Sequence, residues 1–208
     1  MEGTYDERKQ NIIKAATRVI SKQGFHKFTF RQVAAEANIS PGTLYYYYNS
    51  KNLILYDIVD YAQSQTAKLV TEMECGQTKP DEVALKVTEM IKQQVYDLNS
   101  NKIFLHLLHE SLSGDNELAE KMKDKYNQWL DSFEKVIELH FGIPPGPINR
   151  SIAILLNAVI DGMSMMEIMG METIERSEIE CFFRLFVGAE FEKLASELRG
   201  RMASSVDA

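Results

Sequence analysis

Cysteine is scarce. The 208 residues hold two, Cys75 and Cys181, far apart and in no metal-type pair. That excludes a disulfide scaffold and a cysteine-based zinc site, and free thiols in a reducing cytoplasm are the simplest account. No P-loop, nucleophile elbow or glycine-rich dinucleotide fingerprint is present. No unbroken run of about 18 apolar residues suggests a membrane span. The start, Met1-Glu-Gly-Thr-Tyr-Asp-Glu7, is acidic and unlike a signal peptide. No stretch alternates convincingly as a strand. These absences predict a cytoplasmic, all-helical protein without metal, cofactor or catalytic residues. At 45% hydrophobic, the chain has ample material for a core.

Charge is present but uneven. The total is −7, which argues against an indiscriminate nucleic-acid binder. Residues 1–56 hold eight bases and four acids, a net +4, which leaves −11 for the remainder. A basic head on an acidic body would point the head at phosphates and keep the rest away. Lys14, Arg18 and Lys22 are available for the duplex backbone. Thr4 with Glu7 has capping-box spacing, and Ile12, Ile13, Ala16, Val19 and Ile20 then recur at helical spacing until Gly24.

The richest stretch is Thr29 to Lys51. Thr29 and Gln32 form a second capping box. Asn38 follows a short helix and tolerates the left-handed conformation that a sharp turn needs. Ser40 is an N-cap and Pro41 suits a first helical turn. Ser50 caps a third helix. Two short helices around a tight turn make a helix-turn-helix, whose second helix can lie in the DNA major groove. On that helix the Thr43 hydroxyl and methyl suit a base edge and a thymine methyl. Arg31 suits guanine or a phosphate. The hydroxyls of Tyr45, Tyr46 and Tyr47 suit phosphate oxygens. Lys51, at a helix N-terminus, suits a phosphate. Gly42 allows close backbone approach. Four consecutive tyrosines point in four directions and cannot all be core.

The block Phe28-Thr-Phe-Arg-Gln-Val-Ala34, with Asn38-Ile-Ser-Pro-Gly-Thr-Leu-Tyr-Tyr-Tyr-Tyr-Asn-Ser-Lys51, resembles the TetR family of bacterial transcriptional regulators. It is similar to the family's G-T-L-Y-x-x-F-x-x-K signature, with Tyr48 where Phe is common and Asn38 in place of the usual Gly. The resemblance implies an all-helical homodimer. Its near-palindromic double-stranded operator is released when a small ligand enters a C-terminal pocket. It also implies a DNA-contact role for Thr29, Arg31, Gly42, Thr43, Tyr45, Tyr46, Tyr47 and Lys51.

The expected organisation is a DNA-binding domain over 4–51, a helical ligand-binding and dimerisation domain over 52–199, and a tail over 200–208. A single rod-like helix is expected from Ser50 to about Cys75. Ile148 to Met169 is apolar on nearly every side, so burial on nearly every side is expected. With the helix Thr173 to Leu198 it is the candidate dimer interface, where Ala158, Gly162 and Ser164 permit close approach. Candidate ligand contacts are Phe104, His106, His109, Glu110, Tyr126, Trp129, Phe133, Met163, Met166 and Met169, a mostly apolar set rich in adaptable methionines. His106, His109 and Glu110 share a helical face that could serve metal or acid–base chemistry. No further cluster completes such a site.

The reading that emerges is a ligand-responsive regulator, most simply a repressor released by a largely apolar effector. The alternatives are a DNA-organising protein without an inducer and an all-helical enzyme using the His106 face.

Overall fold

The computed structural model describes residues 5–171 together with Glu178, Cys181, Lys193, Ser196 and Glu197. Among the described residues there are nine helices and no strand. The Thr4 cap, the apolar residues Ile179, Phe182, Phe183, Phe186, Val187, Phe191, Leu194 and Leu198, and the 200–208 tail lie outside them.

The second and third helices are short because their ends are set by local chemistry. Helix α1 (Tyr5–Gln23) buries Ile12, Ile13, Ala15, Ala16, Val19 and Ile20. It packs on α2 (Phe30–Glu36), which packs on α3 (Pro41–Tyr47). Thr29 and Gln32 form the reciprocal capping box at the start of α2. Asn38 adopts φ 56°, the left-handed turn that lets α3 leave at an angle. The Asn11 amide, from α1, donates to the Ala37 carbonyl at 3.0 Å and satisfies the end of α2. Ser40 Oγ then accepts from the Thr43 amide at 3.0 Å. Phe28, Phe30, Val33, Ala34 and Leu44 fill the space between the three helices.

Helix α4 (Lys51–Gln63) begins where Ser50 Oγ accepts from the Leu53 amide at 3.3 Å. The expected single rod to Cys75 is interrupted. The helix stops at Ser64, and α5 (Gln65–Glu74) starts afresh. Ser64 has φ −69° and ψ −3° and makes no side-chain cap to α5. Proline and glycine are both absent from 50–75, so no residue type announced the break.

Helices α6 (Pro80–Tyr96), α7 (Leu98–Leu112), α8 (Asn116–Phe141) and α9 (Pro147–Ile168) complete the described elements. The chain forms two compact units. One comprises Met1–Ala62 with Asn99–Lys123, and the other Gln63–Leu98 with Asp124–Ala208. The core of the second unit gathers Leu69, Val83, Val87, Ile91, Val95, Phe133, Val136, Ile137, Phe141, Ile143, Ala153 and Ile160. Asn149 secures the α8–α9 turn by donating to the Glu134 and Ile143 carbonyls at 3.1 and 3.0 Å.

Helix α9 is not buried on nearly every side. Its inner face is Asn149, Ala153, Asn157, Ile160 and Ser164, and it packs on α6. The opposite face, with Ile154, Leu155, Val159, Met165, Met166 and Met169, is open in the single chain. An apolar pattern records a preference for burial, not the surface that provides it. Contrary to the expectation from apolar runs, α9 is long and apolar enough to cross a membrane by length and composition. The core helix of a soluble protein passes the same test.

Candidate nucleic-acid interface

Helix α3 has one buried side chain, Leu44. The helical period then turns its neighbours outward. Tyr45 is 60% exposed and Tyr46 79%. The Tyr45 ring leans on Phe30 at 4.9 Å between centroids, and Tyr46 meets Tyr47 edge-on at 5.4 Å. These ring contacts limit where the phenols can swing. Thr43 is half-buried, and its hydroxyl lies 2.8 Å from Ser40 Oγ. One N-cap serine therefore satisfies the backbone and orients the first hydroxyl of the helix. Gly42 is exposed, with only Ser40 Oγ near the position of an added Cβ.

Arg31 is exposed on the first turn of α2, beside exposed Thr29. Thr29 Oγ1 donates to Gln32 Oε1 at 2.9 Å, and Gln32 exchanges amide bonds with Gln23 at 2.8 and 3.1 Å, tying α1 to α2. Lys51 is exposed, its Nζ 5.1 Å from the centroid of the Phe28 ring.

Not every base of this unit is free. Arg18 Nε donates to Glu36 at 2.6 Å and Lys22 Nζ sits 3.7 Å from the same carboxylate. The Arg18 hydrogen bond, followed by the charge of Lys22, holds the Glu36 carboxyl below its ordinary range. Lys9 Nζ is 2.8 Å from Asp57 Oδ2. The same oxygen accepts the Tyr48 hydroxyl at 2.6 Å. Tyr48 is 2% exposed and forms the C-cap of α3, so α1, α3 and α4 meet at one carboxylate. Tyr48 and Asp57 escaped the sequence reading. The signal was there: a tyrosine where phenylalanine is common has an extra hydroxyl that needs a partner.

The ten candidate ligand residues fall into two groups. Phe104, His106, His109 and Glu110 belong to the first unit. The His106 ring stands 5.2 Å from Phe25 and 5.5 Å from His26. Burial pushes its pKa down; Glu110 opposes that, and His26 and His109 reinforce it. His109 is exposed. Among the described residues no three of His, Cys, Asp and Glu gather to hold a metal.

The other six belong to the second unit. Tyr126 and Trp129 lie 5.3 Å apart between ring centroids. The Tyr126 hydroxyl donates to Asp161 Oδ2 at 2.8 Å, and Asn157 Nδ2 donates to the same oxygen at 3.0 Å. Burial, then the Asp161 charge, pushes the Tyr126 phenol up. Burial likewise raises the Asp161 carboxyl, against its two hydrogen bonds. Phe133 is core and borders a void of about 10 Å³, room for one water at most. Met163 packs on the core, while Met166 and Met169 sit on the open face of α9. A shallow groove of about 230 Å³ runs between α5 and α6 past Leu69, Met90, Lys68 and Lys86. None of the ten lines it.

The sequence profile of bacterial regulatory proteins of the tetR family matches residues 12–56, the span from α1 into α4. The chain is 25% identical over 181 residues to the HTH-type transcriptional regulator YerO of Bacillus subtilis, covering 85% of this chain and 62% of YerO. It is 43% identical over 51 residues to the HTH-type transcriptional regulator HbdR of Aromatoleum sp., covering 24% of this chain and 22% of HbdR. The chain thus spans less than two thirds of either relative. Its fold is similar to that of a protein from Rhodococcus sp. assigned to the TetR family of transcriptional regulators. That match has a TM-score of 0.62 at 18% identity and covers 88% of this chain and 97% of the other. These relatives are transcriptional regulators and not enzymes. Over residues 12–56 the chain is thus similar to the tetR family of bacterial regulatory proteins.

Proposed function

We propose that this chain is a regulator of the TetR type, a cytoplasmic homodimer that binds a near-palindromic operator as a repressor and leaves it when a small, largely apolar effector enters the body. The observation that carries the DNA reading is the outward face of α3, with Thr43 fixed by Ser40 and two bare tyrosines beyond it. Residues 4–51 serve as the DNA-binding domain, 52–199 as the ligand-binding and dimerisation domain, and 200–208 as a tail. Thr43 reads a base edge. Arg31 meets guanine or phosphate. Thr29, Gly42, Tyr45, Tyr46, Tyr47 and Lys51 meet the backbone. Paired copies would set two α3 helices about 34–36 Å apart, one turn of DNA. Ligand and DNA favour different conformations of one body, so each weakens the other.

The test separates positioning from reading. Operator fragments are selected from genomic DNA and compared with unrelated DNA over a range of salt. Tyr46→Ala and Lys51→Ala should weaken both, and Lys51→Ala should flatten the salt slope by about one. Thr43→Ala should narrow the gap between operator and unrelated DNA by about 1–3 kcal/mol per half-site. Equal loss of preference in all three variants would contradict these roles.

A further inference from the structure

Methionine is unevenly placed along the chain. There are ten, and five of them, Met163, Met165, Met166, Met169 and Met171, fall within nine positions. The earlier part of α9 has none. From Ile148 to Ile160 its larger apolar side chains are all isoleucine, leucine or valine.

Met163 packs on the core of its unit, and the other four are exposed. Met165 and Met169 are one helical turn apart, and so are Met166 and Met169. Three side chains therefore share a face, with Met169 between the other two. The helix end brings back the fourth. Gly170 takes φ 65°, and its amide donates to the Glu167 carbonyl at 3.1 Å. The Met171 amide donates to the Met166 carbonyl, also at 3.1 Å. This paired closure folds the chain at 171 back toward 166.

A surface that needs only apolar bulk is met by leucine, which has better-defined rotamers. Methionine adds a polarisable sulfur on a flexible stem, and thioethers are soft donors that select Cu(I). The position favours a cation as well, because the last carbonyls of a helix carry partial negative charge. We infer that Met165, Met166, Met169 and Met171 form a thioether site for a soft monovalent cation of the Cu(I) type. Binding there involves no change in oxidation state, and the site stands apart from the effector reading.

The full chain is labelled with carbon-13 in its methionine methyls and titrated in chloride-free buffer with silver nitrate, a redox-stable stand-in for Cu(I). Both cysteines are exposed, so their thiols are first blocked with a maleimide. Four methyl signals, assigned through single Met→Leu variants, should move together and saturate at about one ion per chain. Zinc takes thiolate, imidazole and carboxylate ligands and should move none of them. Met73 on α5 and Met90 on α6 are internal controls and should stay still over the same range. Met169→Leu keeps the bulk and removes the central sulfur, so it should weaken silver binding at least roughly tenfold. Met163→Leu should leave binding unchanged. Four unmoved signals would overturn the inference, since the side chains would then serve only as apolar contact. A matching response to zinc, equal shifts at Met73 and Met90, or full affinity in Met169→Leu would overturn it too. If Met169→Leu fails to fold, the wild-type titration decides the matter.

Discussion

Asn38 holds φ at 56°, where a Cβ crowds the following carbonyl. Asparagine tolerates this and glycine is indifferent to it. Asn38→Gly should therefore change stability by only a few tenths of a kcal/mol, whereas Asn38→Val should cost about 1–2 kcal/mol. Urea unfolding of the two variants side by side checks this, and equal midpoints would show that the turn relaxes to another conformation. The turn was legible in the sequence because its chemistry is local. Thr29 with Gln32, Ser40 with Thr43 and Asn38 itself act within three residues. His106 was not legible in the same way. Its neighbours Phe25 and His26 lie some eighty positions earlier, and helical spacing grouped it only with His109 and Glu110.

Among elements, helix α3 is held at both ends. Ser40 caps its start, and Tyr48 ties its end to Asp57 on α4, where Lys9 from α1 joins. Tyr48→Phe keeps the buried ring and removes the tie. The expected loss is about 1.5 kcal/mol, in the range of a hydrogen bond to a charged group. Denaturant unfolding checks it, and a loss below about 0.3 kcal/mol would mean that the bond is idle. Helix existence and type were legible throughout the described residues, because 3.6-residue periodicity is strong in α1, α6 and α8, and α9 is a long apolar run bounded by Pro147 and Gly170. The gap at Ser64 was not. It lies within one residue of Gln63, where the first compact unit gives way to the second. A break that follows the division between units is set by packing, which no local propensity encodes.

For the whole molecule, the open face of α9 matters most. Leu155 is 66% exposed in the single chain, an expensive position for leucine unless something covers it. In a two-fold dimer each copy would bring the same patch, so a charge placed there would meet its own image. Leu155→Glu should give monomers by sedimentation and weaken operator binding on the order of a hundredfold, the loss of linked half-sites. Dimers that persist would remove α9 from the interface. The charge asymmetry belongs to this scale too, and the ion pairs of the head qualify it. Arg18 and Lys22 lie against Glu36, and Lys9 against Asp57. Any sodium set free by a duplex comes from the duplex itself, one ion for each phosphate that a base neutralises. A base already matched to a carboxylate neutralises less, so the entropy to be gained on meeting a promoter would come from fewer side chains than the primary structure advertises.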